Sequence, residues 1–141
     1  MASTANVKWT GDIQGGQGEI KTGSGAVGGT YSAASRFEDG DGTNPEELIA
    51  AAHAACFSMA LTLVLSEAGH EPESVETDAK VVLKKVDDGF EIPRIELSTV
   101  GTVPGIDDED FQKHAETAKV NCPVSKALAG PEIKLEAKLA G

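Results

Sequence analysis

The chain has 141 residues, 40% of them hydrophobic and 25% charged, a balance that suits one globular domain spanning 1–141 around one core. Its net charge of −11 argues against nucleic acid and against anionic membrane surfaces as partners, because so acidic a surface repels phosphate. Residues 1–9 lack the apolar region of a signal peptide and no long uncharged apolar span reads as a transmembrane helix, so the expected location is cytoplasmic, where a persistent structural disulfide is not expected.

Residues 7–13 alternate, with Val7, Trp9 and Ile13 on one side and Lys8, Thr10 and Asp12 on the other, which predicts a half-buried strand. Residues 14–18 read as a turn, 19–22 as a second strand, and a third strand is expected around 30–37. After the loop Glu38-Asp39-Gly40-Asp41-Gly42, Asn44 is suited to cap a helix, Pro45 to its first position, and Glu47 to the third position of a capping box. The helix should run to about Glu67 and stop near Gly69. Its middle is apolar on nearly every side, which predicts burial on every side and, in so small a chain, an extensive dimer.

Residues 74–86 alternate again, Asp88-Gly89 signals a hairpin, and a partner strand is expected from about Glu91 to Val103. The acids at 107–110 open a helix whose dipole they complement. Ile133, Leu135, Ala137 and Leu139 alternate with charged residues in a final strand. The order of strands, helix, hairpin, helix and strand predicts an α+β fold with antiparallel pairing.

Several motif-like stretches have plainer explanations. The string Gly23-Ser24-Gly25-Ala26-Val27-Gly28 matches GxGxxG, but no helix pattern follows it, so glycine-rich hairpin turns account for it better than a dinucleotide site. Asp39-Gly40-Asp41-Gly42 begins like a calcium loop and then departs from it at Thr43 and Asn44. His53, His70 and His114 show no zinc spacing with the cysteines. His53, one turn before Cys56, reads first as a polar residue at a helix or dimer seam and second as a proton-transfer group.

The two cysteines, Cys56 in mid-helix and Cys122 beside Pro123, are the strongest chemical candidates. They read either as a redox pair or as two packed, inert thiols. By local sequence Cys122 has the better position for ionisation, since Pro123 resembles a first helical residue. Cys56 would need a cation, and Arg36, one of only two arginines with Arg94, is the natural candidate. Glu47 is explained by capping, whereas Glu46 can face the same side of the helix as Cys56. Along a straight helix Glu46 is still roughly 15 Å from Cys56. Direct help would therefore need an arginine between them, a break in the helix, or the matching helix of a second subunit.

The stretches Arg36-Phe37-Glu38, Thr43 to Ala60 and Asn121-Cys122-Pro123-Val124-Ser125 closely resemble the osmotically inducible protein C (OsmC) family, whose relatives are the organic hydroperoxide resistance (Ohr) proteins. The likeness runs from Trp9-Thr10-Gly11-Asp12 to the closing strand, and Val103-Pro104-Gly105-Ile106-Asp107 fits the OsmC branch. The resemblance implies an OsmC-like fold, with antiparallel sheets around a long buried central helix, in an intertwined homodimer with two interface active sites. It implies a thiol peroxidase that needs no haem, metal, flavin or other cofactor.

By the same resemblance Cys56 attacks the peroxide and Cys122 resolves the product, which overrules the local preference for Cys122 as attacker. The family glutamate falls on Glu46, and Arg36 is the position that matches the OsmC pattern for the assisting arginine. The expected cycle oxidises Cys56 to a sulfenic acid, closes a Cys56–Cys122 disulfide and reopens it with an external dithiol. The resemblance implies a lipoyl-type dithiol as the reductant. An apolar helix lining the pocket would favour organic hydroperoxides over hydrogen peroxide, at roughly 0.8 kcal/mol per buried CH₂. The alternatives are a redox sensor whose disulfide signals, and a dimer that binds a small hydrophobic ligand.

Overall fold

A computed structural model describes residues Met1–Gly141. The chain divides into two compact units, Met1–Leu48 and Ile49–Gly141.

The first unit is an antiparallel sheet of β1 (Ala5–Thr10), β2 (Gln17–Thr22) and β3 (Gly28–Tyr31), in that order, followed by the short helix α1 (Ala33–Phe37). Trp9 and Tyr31 meet edge to face across it at 5.5 Å between ring centroids. The expected first strand stops short, because the chain turns at Gly11 with φ +94 and leaves Ile13 exposed. The expected third strand is likewise cut at Tyr31. Ser32 takes the Ser35 amide on its hydroxyl and donates its own amide to Ser35 Oγ, a reciprocal cap that starts α1 instead. The glycine-rich string lies in the turn between β2 and β3, where the Thr22 hydroxyl binds the Val27 carbonyl and amide.

The long helix α2 (Pro45–Glu67) has the expected bounds, and the division between the units falls within it. Asn44 accepts the Glu47 amide at 2.7 Å, while the Glu47 carboxylate accepts from the Thr43 hydroxyl at 2.9 Å rather than completing a capping box. Two expectations for this helix need correction. It is long and apolar enough to cross a membrane by length and composition, contrary to the reading of no such span. Its alanines, small as they are, are apolar, and an apolar-all-round core helix has the same composition. Within one chain it is also not buried all round. Glu46, His53, Phe57, Leu61 and Leu65, spaced at helical repeats, form one buried stripe, while Met59 is 76% and Leu63 59% exposed.

The core of the second unit is the sheet β4 (Ser74–Val86), β5 (Gly89–Thr102) and β6 (Glu132–Leu139), with β5 central. The expected hairpin joins β4 to β5, with Val86 opposite Gly89. β6 corrects the all-antiparallel expectation, because it pairs parallel to β5 with Ile95 opposite Ile133 and Leu97 opposite Leu135. The intervening α3 (Asp108–Asn121) and α4 (Pro123–Ala127) supply the crossover that a parallel neighbour requires. Alternate residues Ile95, Leu97 and Thr99 of β5 are buried together with Phe57, Leu61 and Leu65 of α2 and Phe111, Ala115 and Ala118 of α3. Each fully buried large side chain contributes roughly 1.5–3 kcal/mol. A β-carbon on Gly101 would stand 2.6 Å from the Phe111 ring, so α3 approaches β5 as closely as it does only because that residue is glycine.

One polar tie fixes α2 on this sheet. Ser58 Oγ donates to Thr77 Oγ1 of β4 at 2.8 Å, Thr77 pairs with buried Thr99 of β5 at 3.0 Å, and Thr99 Oγ1 lies 3.1 Å from the Glu76 carbonyl. The tie lies two residues beyond Cys56 and anchors the turn of α2 that carries it.

Candidate active site

Cys56 comes from the middle of α2, and Cys122 from the junction where α3 ends and α4 begins. Both are free thiols, and their sulfurs lie 2.9 Å apart, bridged by one hydrogen bond. Their separation of 66 positions in sequence is closed because α2 and α3 share the core of the second unit. Cys122 is fully buried and Cys56 half-buried.

Pro123 stands at the start of α4 as its sequence position suggests, and Cys122 is the residue that caps it. The Val124 and Ser125 amides point toward the Cys122 sulfur, without closing the hydrogen bond of a conventional side-chain cap. Burial pushes the Cys122 thiol up. The Cys56 hydrogen bond, the Ser125 amide and hydroxyl and the Val124 amide outweigh it, so the group ends below its ordinary value. Cys56 moves the other way. Burial raises it first, and its hydrogen bond to Cys122 and the nearby Cys122 charge raise it further, against one lowering contact from the Val124 backbone. Within the second unit, then, Cys122 is the readier thiolate, and Cys56 is held toward its neutral form.

Arg36 and Glu46 are brought together within the first unit. Arg36, in the last turn of α1, donates from Nη2 to Glu46 Oε1 at 2.6 Å and from Nε to both carboxylate oxygens at 3.1 and 3.3 Å. This forked geometry fixes the guanidinium plane. The Arg36 guanidinium also stands 5.4 Å over the Phe37 ring, and the Glu46 carboxylate is buried while the Arg36 side chain is 36% exposed. The choice between the two glutamates is decided by these contacts: Glu46 holds the arginine and Glu47 serves the helix start. The helix is unbroken from Pro45 to Glu67, which removes one of the three ways of linking Glu46 to the thiol.

The sequence reading passed over Ser125. Its hydroxyl lies 2.8 Å from His53 Nε2 in the buried interior of the second unit, and burial lowers the imidazole below its ordinary value. The sequence signal that could have pointed here is the spacing of His53 and Cys56, three residues apart on one helix and so on neighbouring faces.

Residues 38–138 match the family model described as OsmC-like protein. Over 132 residues the chain is 52% identical to the peroxiredoxin OsmC of Escherichia coli (strain K12), covering 93% of this chain and 92% of that protein. Its structure is similar to the crystal structure of the organic hydroperoxide resistance protein OhrB of Bacillus subtilis, with a TM-score of 0.69 and 31% identity over 97% of this chain and 98% of that one. It is similar also to an organic hydroperoxide resistance protein from Elizabethkingia anophelis, with a TM-score of 0.74 and 28% identity over 99% of each chain. The two paired constellations thus sit in a sequence and a fold with one common kinship: the chain belongs to the OsmC-like family.

Proposed function

We propose that the protein is a cysteine-based peroxidase that reduces organic hydroperoxides. The observation that carries this reading is the 2.9 Å approach of the Cys56 and Cys122 sulfurs, both reduced, in a chain similar to a peroxiredoxin and to organic hydroperoxide resistance proteins. Two thiols this close need little movement to join once one of them is oxidised.

In this mechanism Arg36 supplies the positive charge that makes Cys56 a thiolate, and Glu46 holds the guanidinium in place. The thiolate attacks the distal peroxide oxygen. The O–O bond breaks, the sulfur becomes a sulfenic acid, and the alkoxide leaves as an alcohol after taking a proton. The Cys122 thiolate then attacks the Cys56 sulfur, forming S–S and breaking S–O, and the released hydroxide leaves as water. A dithiol, of lipoyl type, reduces the disulfide by exchange and is itself oxidised to a cyclic disulfide. The working form is a homodimer in the cytoplasm. In support, the α2 stripe carrying exposed Met59 and Leu63 has the apolar surface that a second copy would cover.

The deciding assay measures hydroperoxide loss with dihydrolipoamide as reductant, comparing cumene hydroperoxide with hydrogen peroxide. Multiple turnovers, faster with the cumyl substrate, are expected. A single oxidation without turnover would instead make the disulfide a signal. Sedimentation at micromolar concentration should give a dimer, and a stable folded monomer would refute that part of the reading.

A further inference from the structure

The helix α4 has five residues, Pro123–Ala127, too few to stand on its own hydrogen bonds. It begins directly after Cys122, whose ψ of 120 breaks the helical path between α3 and α4. On one side of this break Phe111, Ala115 and Ala118 seat α3 in the core. On the other side Ser125 is the one buried residue of α4, and its hydroxyl meets His53 Nε2 of α2 at 2.8 Å. His53 stands three residues before Cys56, and Ser125 three residues after Cys122. The His53–Ser125 and Cys56–Cys122 contacts are therefore two rungs of one antiparallel pairing between α2 and the α3–α4 junction. Stability alone does not account for the histidine, because its ring has no exposed surface and its Nδ1 is buried with no partner. Leaving a buried polar atom unpaired costs more than one neutral hydrogen bond returns, so an apolar side chain of similar size would serve the core better.

We infer that the His53–Ser125 bond is a brace that fixes the α3–α4 junction on α2 and so sets how readily Cys122 closes on Cys56. The inference deepens the peroxidase reading and rests on it. The brace acts through the backbone of α4 rather than on the sulfur itself, so His53 and Ser125 are positioning residues. An unpaired N–H is rarer in a protein interior than an under-used acceptor, which places the ring proton on Nε2 and makes Ser125 Oγ its acceptor. In the step served, the Cys122 thiolate forms the S–S bond as the S–O bond of the Cys56 sulfenic acid breaks. The hydroxide leaves as water with the proton that Cys122 gave up on ionising. With the brace in place, the junction is already ordered before the bond forms. Without it, α4 gains freedom in the reduced protein that disulfide closure then has to remove.

The test is the redox equilibrium of the whole protein in mixtures of reduced and oxidised glutathione. Reduction of the disulfide consumes two glutathione thiols and yields one glutathione disulfide, and the protein thiols are counted by alkylation and mass. In Ser125→Ala and His53→Leu, the equilibrium should shift about fivefold toward the dithiol, the scale of one lost hydrogen bond, or about 20 mV toward a less negative potential. His53→Gln places an amide donor where Nε2–H was and should stay within about twofold of the wild type. A merely space-filling role would make Leu and Gln equivalent. Ser125→Ala removes a single oxygen, so it carries the test if His53→Leu does not fold. A wild-type potential in Ser125→Ala, or a Gln variant displaced as far as the Leu variant, overturns the brace, as does a wild type that forms no Cys56–Cys122 disulfide. The equilibrium needs no peroxide. A wild type that forms the disulfide but does not turn over hydroperoxide therefore fails the peroxidase reading alone, and the shifts still decide the brace.

Discussion

The two units of this chain carry opposite kinds of chemistry. Met1–Leu48 contributes permanent charge, an arginine forked onto a carboxylate and set over an aromatic ring. Ile49–Gly141 contributes two free thiols among apolar side chains and, in the same interior, a buried imidazole–serine pair. The interior that brings the sulfurs together also raises Cys56, the thiol that the proposed mechanism ionises first. Burial opposes ionisation of Cys56, which is why the proposed mechanism assigns Arg36 the task of supplying charge.

The largest expected effect comes from breaking the thiol pair. Cys56→Ser should abolish turnover, since a serine hydroxyl is not ionised near neutrality and does not accept peroxide oxygen as a thiolate does. Cys122→Ser should consume one equivalent of peroxide and stop, leaving a dimedone-reactive sulfenic acid on Cys56. Repeated turnover by Cys56→Ser would reverse the roles and make the more acidic thiol, Cys122, the attacker.

Removing the charge should come next. Arg36→Met should leave the fold intact and raise the midpoint of the Cys56 alkylation rate against pH by about one to three pH units. With a raised value, less thiolate is present at neutral pH, so the peroxide reaction slows in proportion. Glu46→Gln keeps the arginine and weakens only its placement, so it should slow the reaction less. An unchanged pH profile in Arg36→Met would leave Arg94 or a lysine to be tested as the activating group, since burial holds His53 toward its neutral form.

A third substitution asks how far the thiol geometry depends on its own unit. Gly101→Ala drives a β-carbon into the Phe111 ring, and α3, which ends at Cys122, has to shift. Overpacking of this kind costs roughly 1–3 kcal/mol, seen as a lower denaturation midpoint. Closure of the disulfide should slow as well, because the displaced helix carries one of the two sulfurs. Unaltered stability would show that β5 and α3 are less tightly apposed than the structure has them.

The sequence made different parts of this arrangement legible for physical reasons. The long helix was plain from Asn44, Pro45 and Gly69, since caps and terminators act locally. The β4–β5 hairpin was plain from alternation and Asp88-Gly89. α1 was hidden, because a serine cap followed by Ala-Ala-Ser-Arg-Phe looks as much like strand as helix until the reciprocal Ser32–Ser35 bonds form. The parallel seat of β6 was hidden too, as strand direction follows from the crossover and not from the strand. At the site, helical phase singled out Glu46, which the structure pairs with Arg36. The roles of attacker and resolver came from family likeness, and local chemistry alone favours Cys122. Ser125 went unnoticed because a serine has no signal of its own before the fold sets it 2.8 Å from His53.

The smallest expected effect sharpens the contrast between permanent and conditional charge. A guanidinium is a permanent cation by its own chemistry, whereas His53 is held toward its neutral form because burial lowers its pKa below the ordinary 6.5. In the unfolded chain the imidazole takes up its proton near that ordinary value, while the folded protein resists protonation until lower pH. Between the two values the unfolded state binds more protons, so stability falls as pH falls. Above 6.5 the contribution is fully present, and below the depressed folded value it no longer changes. His53→Gln removes this titration. Its denaturation midpoint should therefore decline less steeply than the wild type's as pH falls below 6.5, with the carboxylates contributing equally to both proteins. Equal slopes would mean that the imidazole is as free to protonate in the folded protein as in the unfolded chain, which its burial against Ser125 does not permit.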